Sequence, residues 1–121
     1  MINQTLIWPI DMAAFAKIAG HRAPKLLPEL IPIYLEDSEL LITWMAEALQ
    51  AGQATKLQQA AHRLKGNSVS LGVLTIADLA DKLESLGKGK MLTTAVELFA
   101  ELSEEYEKVK AAMLDMVSGL E

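Results

Sequence analysis

The sequence contains no cysteine, and aromatic side chains make up only 5% of its 121 residues. Without cysteine the chain can form neither disulfide bonds nor thiolate sites, a composition compatible with an intracellular protein. Basic residues are also in the minority, because 11 lysines and arginines stand against 16 aspartates and glutamates, for a net charge of −5. This charge balance argues against a nucleic-acid-binding protein, which needs a basic surface to neutralise phosphates.

Long apolar runs and targeting signals are missing as well. No uninterrupted apolar stretch of the sequence approaches the ~20 residues of a membrane-spanning helix, and the start of the chain lacks a basic signal region. We therefore expect a cytoplasmic protein without membrane contact. The chain is instead rich in core-forming residues, with 51% hydrophobic and 22% charged side chains, which suits one packed domain over residues 1–121.

Apolar residues recur three and four residues apart through most of the chain, which is the spacing of amphipathic helices. A short helix is predicted over Met12–Ala19, capped by Asp11, and four long helices follow it. Since proline disrupts the interior of a helix, the regular part of the first long helix should begin near Pro28 or Pro32, or be kinked there.

Short turns between long helices make neighbouring helices antiparallel. The sequence therefore predicts an all-α fold, an antiparallel up-down-up-down four-helix bundle with a short extra N-terminal helix. The bundle should occupy about residues 28–118, and residues 1–10 should be an extended lead-in. No segment is expected to form a strand.

The most informative segment is the helix predicted over residues 55–72, whose buried stripe centres near Leu64. At about 100° per residue, His62 lies on the opposite side, together with Gly66, Val69 and Val73. The imidazole is therefore predicted to point outward. Gly66 costs the helix about 1 kcal/mol relative to alanine, and it leaves bare backbone beside the ring where another protein could approach.

Two polar side chains complete this candidate site. Lys65 lies three residues after His62 and can turn its ammonium group toward a ligand on the ring. Ser68 adds a hydroxyl group, which could bond the ligand or simply pack. A cation and a hydroxyl beside an exposed imidazole suit an anion, and a phosphoryl group fits best. A metal site is not expected, because His21 and His62 lie on different segments and no acidic cluster joins them.

The motif His62-x-x-Lys65-Gly66-x-Ser68, followed by Leu71-Gly72, resembles the signature of histidine-containing phosphotransfer (Hpt) domains of two-component phosphorelays. The similarity covers roughly residues 28–118. The resemblance implies that His62 accepts a phosphoryl group from a receiver-domain aspartate or a histidine kinase and passes it to another receiver aspartate. It also implies that Glu84, 22 residues after His62, holds the near ring nitrogen and leaves the far one free.

Such a chain would be a phosphohistidine carrier and not an enzyme. It would bind no cofactor, and the Mg²⁺ ion and the catalytic groups would lie on the partner receiver. The expected partners are receiver domains and a sensor or hybrid histidine kinase, and the carrier itself is expected to be a monomer. Val69 and Val73, which share the face of His62, and Arg63 beside them would form the docking surface.

Several alternatives remain open on the sequence alone. Glu84 could be a surface charge paired with Lys88, and Val69 and Val73 could be partly buried under neighbouring helix ends. The chain could also be the first phosphorylatable domain of a chemotaxis-type histidine kinase. A third alternative is a helical adaptor or inhibitor that binds a kinase or receiver without being phosphorylated.

Overall fold

The computed structural model of the chain describes residues 6–120. The chain order begins with two short strands, β1 and β2, and continues through five helices, with a 3₁₀ turn at Gly20–Arg22 between the first two helices. The bounds are β1 Leu6–Ile7, β2 Ile10–Asp11, α1 Met12–Ala19, α2 Ala23–Gln50, α3 Ala54–Leu71, α4 Leu74–Lys88 and α5 Leu92–Leu120.

The four long helices pack as a ring in which each contacts two neighbours. Helix α3 lies between α2 and α4, and α5 lies against both α4 and α2. The short helix α1 packs on α2 and α3. The predicted four-helix bundle with a short extra N-terminal helix is confirmed. Its interior is apolar and includes fully buried side chains from each long helix, among them Ile31, Met45, Leu57, Leu64, Ile76, Leu83, Leu102 and Met113.

The start of α2 differs from the prediction. The helix begins at Ala23, with Pro24 in its first turn and Pro28 and Pro32 inside it, so a start near Pro28 or Pro32 is wrong. Each internal proline removes a hydrogen bond to the carbonyl four residues earlier. Pro28 is half-buried and Pro32 is exposed, and both lie on the side of the helix where water can reach the freed carbonyl groups. The opposite side is buried and stabilises the helix by packing, at Ala23, Leu27 and Ile31.

The lead-in forms structure that the sequence did not predict. Strands β1 and β2 pair in antiparallel register, Leu6 with Asp11 and Ile7 with Ile10, so the expectation of no strand is wrong for residues 6–11. The part of the predicted lead-in over residues 1–5 lies outside the described residues. Ile10 is fully buried, which ties this hairpin to the bundle.

Asp11 and Gly72 join the hairpin to the end of α3. The backbone N–H of Asp11 donates to the carbonyl of Gly72 at 2.8 Å. Gly72 has a φ of 77°, and a Cβ there would lie 2.6 Å from the carbonyl oxygen of Asp11. Glycine is therefore required at this position. The Asp11 side chain also caps α1 as predicted, accepting from the backbone N–H of Ala14 at 3.1 Å.

Within residues 6–120, no helix combines the length and the apolar character that crossing a bilayer requires.

Candidate functional site

The predicted outward position of His62 is confirmed. Helix α3 buries one side in the bundle, at Leu57, Ala60, Ala61, Leu64, Ser68 and Leu71. His62 lies on the other side, and 68% of its side chain is exposed. The ring is therefore accessible to another molecule.

Glu84 on α4 holds the imidazole in one orientation. Nδ1 of His62 lies 2.8 Å from Oε2 of Glu84, whose side chain is only 11% exposed. Because a carboxylate is an acceptor, Nδ1 donates its proton to this hydrogen bond and Nε2 is the nitrogen left free in the neutral ring. The position predicted from the resemblance thus contacts His62, and the alternative of a surface pair with Lys88 does not describe this geometry.

The charge of Glu84 depends on opposing effects. Burial acts to raise the pKa of its carboxyl group, but the hydrogen bonds and the charges of His62 and Lys65 outweigh burial. The net result is a pKa below the ordinary value for glutamate. Glu84 is therefore ionised at neutral pH and places a negative charge beside the ring.

Lys65 lies one helical turn after His62 and also turns toward α4. Its Nζ donates to Oδ1 of Asp81 at 2.8 Å and to Oε1 of Glu84 at 3.4 Å. The hydrogen bond to Asp81 is the main reason that the pKa of Lys65 is raised, and the same bond lowers the pKa of Asp81. Sequence reasoning missed Asp81. The signal was its position one turn before Glu84, on the helix antiparallel to the one that carries Lys65.

Gly66 leaves open space beside the imidazole. A Cβ at this position would meet no atom within 4 Å apart from neighbouring backbone of its own helix. Packing inside the chain therefore gives no reason for a glycine here, and its role in access to His62 stays a prediction.

Ser68 lies on the wrong side of the helix for the role that the sequence predicted. It is fully buried, and its hydroxyl group shares a 2.8 Å hydrogen bond with the hydroxyl of Tyr34 on α2. Ser68 follows His62 by six residues, which at about 100° per residue places it about 120° away from His62 around the helix, on the buried side. The expectation of a hydroxyl group at the phosphoryl site is wrong. Burial raises the pKa of Tyr34 to about 12, although the hydrogen bond with Ser68 acts to lower it. The phenol therefore stays protonated.

Comparisons with known proteins identify the family of this chain. The family model described as Hpt domain matches residues 29–112. This chain belongs to the Hpt domain family. The family resemblance predicted from the motif is thereby confirmed, and with it a function in phosphotransfer within phosphorelays. Nothing in the comparisons favours a chemotaxis-type kinase domain or an unphosphorylated adaptor.

Two relatives show how far the similarity extends. The Hpt domain is 26% identical over 103 residues to histidine-containing phosphotransfer protein 2 of Arabidopsis thaliana. The match covers 83% of this chain and spans 66% of the relative's length. A solved structure, histidine-containing phosphotransfer protein B (HptB) of Pseudomonas aeruginosa PAO1, superposes with a TM-score of 0.83 at 25% identity. That superposition covers 93% of this chain and 97% of the other.

The predicted docking residues of the Hpt domain do not all lie on one surface. Val69 is 43% exposed, whereas Val73 is fully buried, so the prediction of Val73 on an exposed patch is wrong. Helix α3 ends at Leu71 and Val73 precedes α4, so the 100° progression that placed Val73 beside His62 stops before it. The backbone N–H of Val73 instead bonds to the carbonyl of Ser68 at 2.8 Å.

Arg63 is exposed on the α2 side of His62. Its guanidinium carbon lies 5.8 Å from the centroid of the Trp44 ring, within the range of a cation–π contact. The sequence analysis does not connect these two residues, and Trp44 is itself 42% exposed on α2. Helix α3 as a whole carries three cations and no acidic residue, at Lys56, Arg63 and Lys65.

Proposed function

We propose that this Hpt domain is a phosphorelay intermediate in which His62 is the phosphoryl acceptor. His62 would take a phosphoryl group on Nε2 from the aspartyl phosphate of a receiver domain, or from a histidine kinase, and donate it to another receiver aspartate. The observation that carries the proposal is the 2.8 Å contact between Nδ1 and the buried Glu84 carboxylate, made by a ring that is 68% exposed. The hydrogen bond to Glu84 thus orients an imidazole that another protein can reach.

His62 and Glu84 account for the step in which the phosphoryl group is accepted. The lone pair of Nε2 attacks phosphorus, the N–P bond forms, and the P–O bond of the aspartyl phosphate breaks as the carboxylate leaves with its electron pair. Nδ1 keeps its proton, so the phosphorylated ring is a cation. The Glu84 carboxylate stabilises that cation across the 2.8 Å hydrogen bond. Donation to the next receiver reverses these changes.

Lys65 supplies positive charge to the phosphoryl oxygens. It lies one turn from His62 on the same helix, and its ammonium group has three donors, of which Asp81 and Glu84 take two. Phosphoryl transfer depends mainly on positioning and charge neutralisation. We expect the Mg²⁺ ion and the other catalytic groups on the partner receiver and no cofactor on this chain, which is a carrier and not an enzyme.

The docking surface would surround His62 on α3. The exposed Val69, the exposed Arg63 and the open backbone at Gly66 lie on this side of the helix. A relay must release each partner, so we expect the interface with a receiver domain to be small and weak. We expect the domain to act as a monomer.

The test is transfer of label from receiver domains that carry a radioactive aspartyl phosphate. Wild type and the matched control His21→Gln should both become labelled, whereas His62→Gln should not. Label on His62→Gln, or no label on the wild type with any receiver tested, would overturn the proposal.

A further inference from the structure

Two polar contacts join α3 to α4, and we call them the inner rung, His62 with Glu84, and the outer rung, Lys65 with Asp81. The partners are 22 residues apart in the inner rung and 16 in the outer one. The difference is one turn on each helix, as a constant antiparallel register requires. A longer contact of 3.4 Å between Lys65 and Glu84 connects the two rungs.

The carboxylates of the two rungs differ in their exposure to water, although His62 itself is 68% exposed. The Glu84 side chain is 11% exposed, whereas those of Lys65 and Asp81 are 37% and 54% exposed. Breaking an exposed ion pair costs little, because water replaces the lost partner, whereas a buried carboxylate cannot lose its partners so cheaply. Lys65 can therefore leave Asp81 far more easily than His62 can leave Glu84.

Asp81 can also stay charged when Lys65 leaves. Lys65 is the main cause of the lowered pKa of Asp81, but the charge of Lys88 acts in the same direction. The carboxylate thus keeps a nearby cation and contact with water. It remains able to take Lys65 back.

A phosphoryl group on His62 would compete for the same ammonium group. It brings about −1.5 to −2 charges and three strong acceptor oxygens, and it would be attached one helical turn from Lys65. We propose that Asp81 is a positioning residue of phosphotransfer, which holds Lys65 against α4 while His62 is free and competes with the phosphoryl group for Lys65 after transfer. This inference rests on the function proposed above. Its consequence is a less stable phosphohistidine, which passes the group on more readily.

The experiment measures the charge state of the phosphoryl group itself. The chain is phosphorylated with phosphoramidate, a small phosphoryl donor to imidazole, and the ³¹P chemical shift of the phosphohistidine is followed with pH. A cation beside the phosphoryl group favours its dianion and lowers its second pKa. Asp81→Asn should free Lys65 and raise this ionisation constant roughly two- to fivefold, the range of one exposed ion pair. Asp81→Glu should restore the wild-type titration.

The matched control is Asp78→Asn. Asp78 is also an exposed carboxylate on α4, but it pairs with Lys82 at 3.2 Å and not with Lys65. This variant reports the effect of removing a paired carboxylate of α4 that does not contact Lys65, and its shift should be the smaller. An Asp81→Asn titration that matches that of Asp78→Asn would overturn the proposal.

A second background tests whether Asp81 acts through Lys65. In Lys65→Met, the additional effect of Asp81→Asn should fall to the size seen with Asp78→Asn. If the full shift persists without Lys65, the inference is wrong. Circular dichroism of each variant checks that the bundle is intact, which we expect because all of these side chains are at the surface.

The two proposals fail in different ways. Absence of label on the wild type from any phosphorylated receiver, or label on His62→Gln, counts against the proposed function. If the wild type accepts label on His62 and Asp81→Asn titrates like its control, only the role of Asp81 fails.

Discussion

His21 and His62 are both exposed, but they differ in what surrounds the ring. His21 lies in the 3₁₀ turn at Gly20–Arg22, and among residues 6–120 no side chain is hydrogen-bonded to it. His62 lies on a long helix, and a second helix supplies Glu84 to its Nδ1 at 2.8 Å. Exposure alone therefore makes a histidine accessible but does not orient its ring. The neighbouring helix decides which nitrogen is free and which charge stands beside the ring.

Removal of Glu84 should have the largest effect on the surroundings of His62. Glu84→Ala should leave the His62 imidazole exposed and without the carboxylate that orients it. We expect transfer from a phosphorylated receiver to slow by roughly 10- to 100-fold, the range for carboxylates that orient metal-binding histidines. Glu84→Gln keeps an acceptor without the charge, so transfer should slow less in this variant than in Glu84→Ala. Equal rates for Glu84→Ala and wild type in a rapid-quench assay would show that orientation of the ring does not limit transfer.

Ser68 lies on the buried side of α3, and its replacement should affect stability but not transfer. Ser68→Ala leaves the buried Tyr34 hydroxyl without its 2.8 Å partner, at a cost of about 1–3 kcal/mol in the free energy of unfolding. Transfer per folded molecule should not change, because Ser68 faces away from His62. Urea unfolding and the transfer assay measure the two quantities.

The control for Ser68→Ala is the double variant Tyr34→Phe/Ser68→Ala. Removing both hydroxyl groups leaves neither partner of this hydrogen bond unsatisfied, so most of the lost stability should return. A double variant less stable than the single one would mean that packing, and not the hydrogen bond, is responsible.

Gly66→Gln tests whether access to His62 depends on the open backbone at this position. Gly66→Gln should stabilise α3 by up to about 1 kcal/mol because glycine is a poor helix former. Transfer from a receiver domain should slow several-fold, while phosphorylation by the small donor phosphoramidate should be unchanged. If both donors react at wild-type rates, the bare backbone is not needed for access.

The smallest expected effect is the contribution of Glu84 to stability as pH changes. The pKa of Glu84 is lower in the folded chain than its unfolded value of about 4.3. Its stabilising contribution is therefore complete above that value and is lost as pH falls through the lower folded pKa. The unfolding free energy of wild type should exceed that of Glu84→Gln at pH 7, and the gap should narrow between pH 5 and pH 3. A difference in unfolding free energy that stays constant over this range would contradict a lowered pKa of Glu84 in the folded chain.

Much of the site could be predicted because it lies on one helix. Helical periodicity alone turned His62 outward and Leu64 inward, and the motif pointed to Lys65 and Gly66. The errors occurred where a local pattern was extended too far. The 100° progression fails at Val73 because α3 ends at Leu71. The predicted contact of the Ser68 hydroxyl with a phosphoryl group fails because Ser68 is fully buried.

Spacing within short segments is enough to predict the long helices, the outward face of His62 and the family. The pairing of Lys65 with Asp81, the pairing of Ser68 with Tyr34 and the burial of Val73 emerge only when the helices pack. These contacts depend on the register between helices, and a shift of one turn in packing would exchange every partner. Periodicity within a helix carries no information about that register.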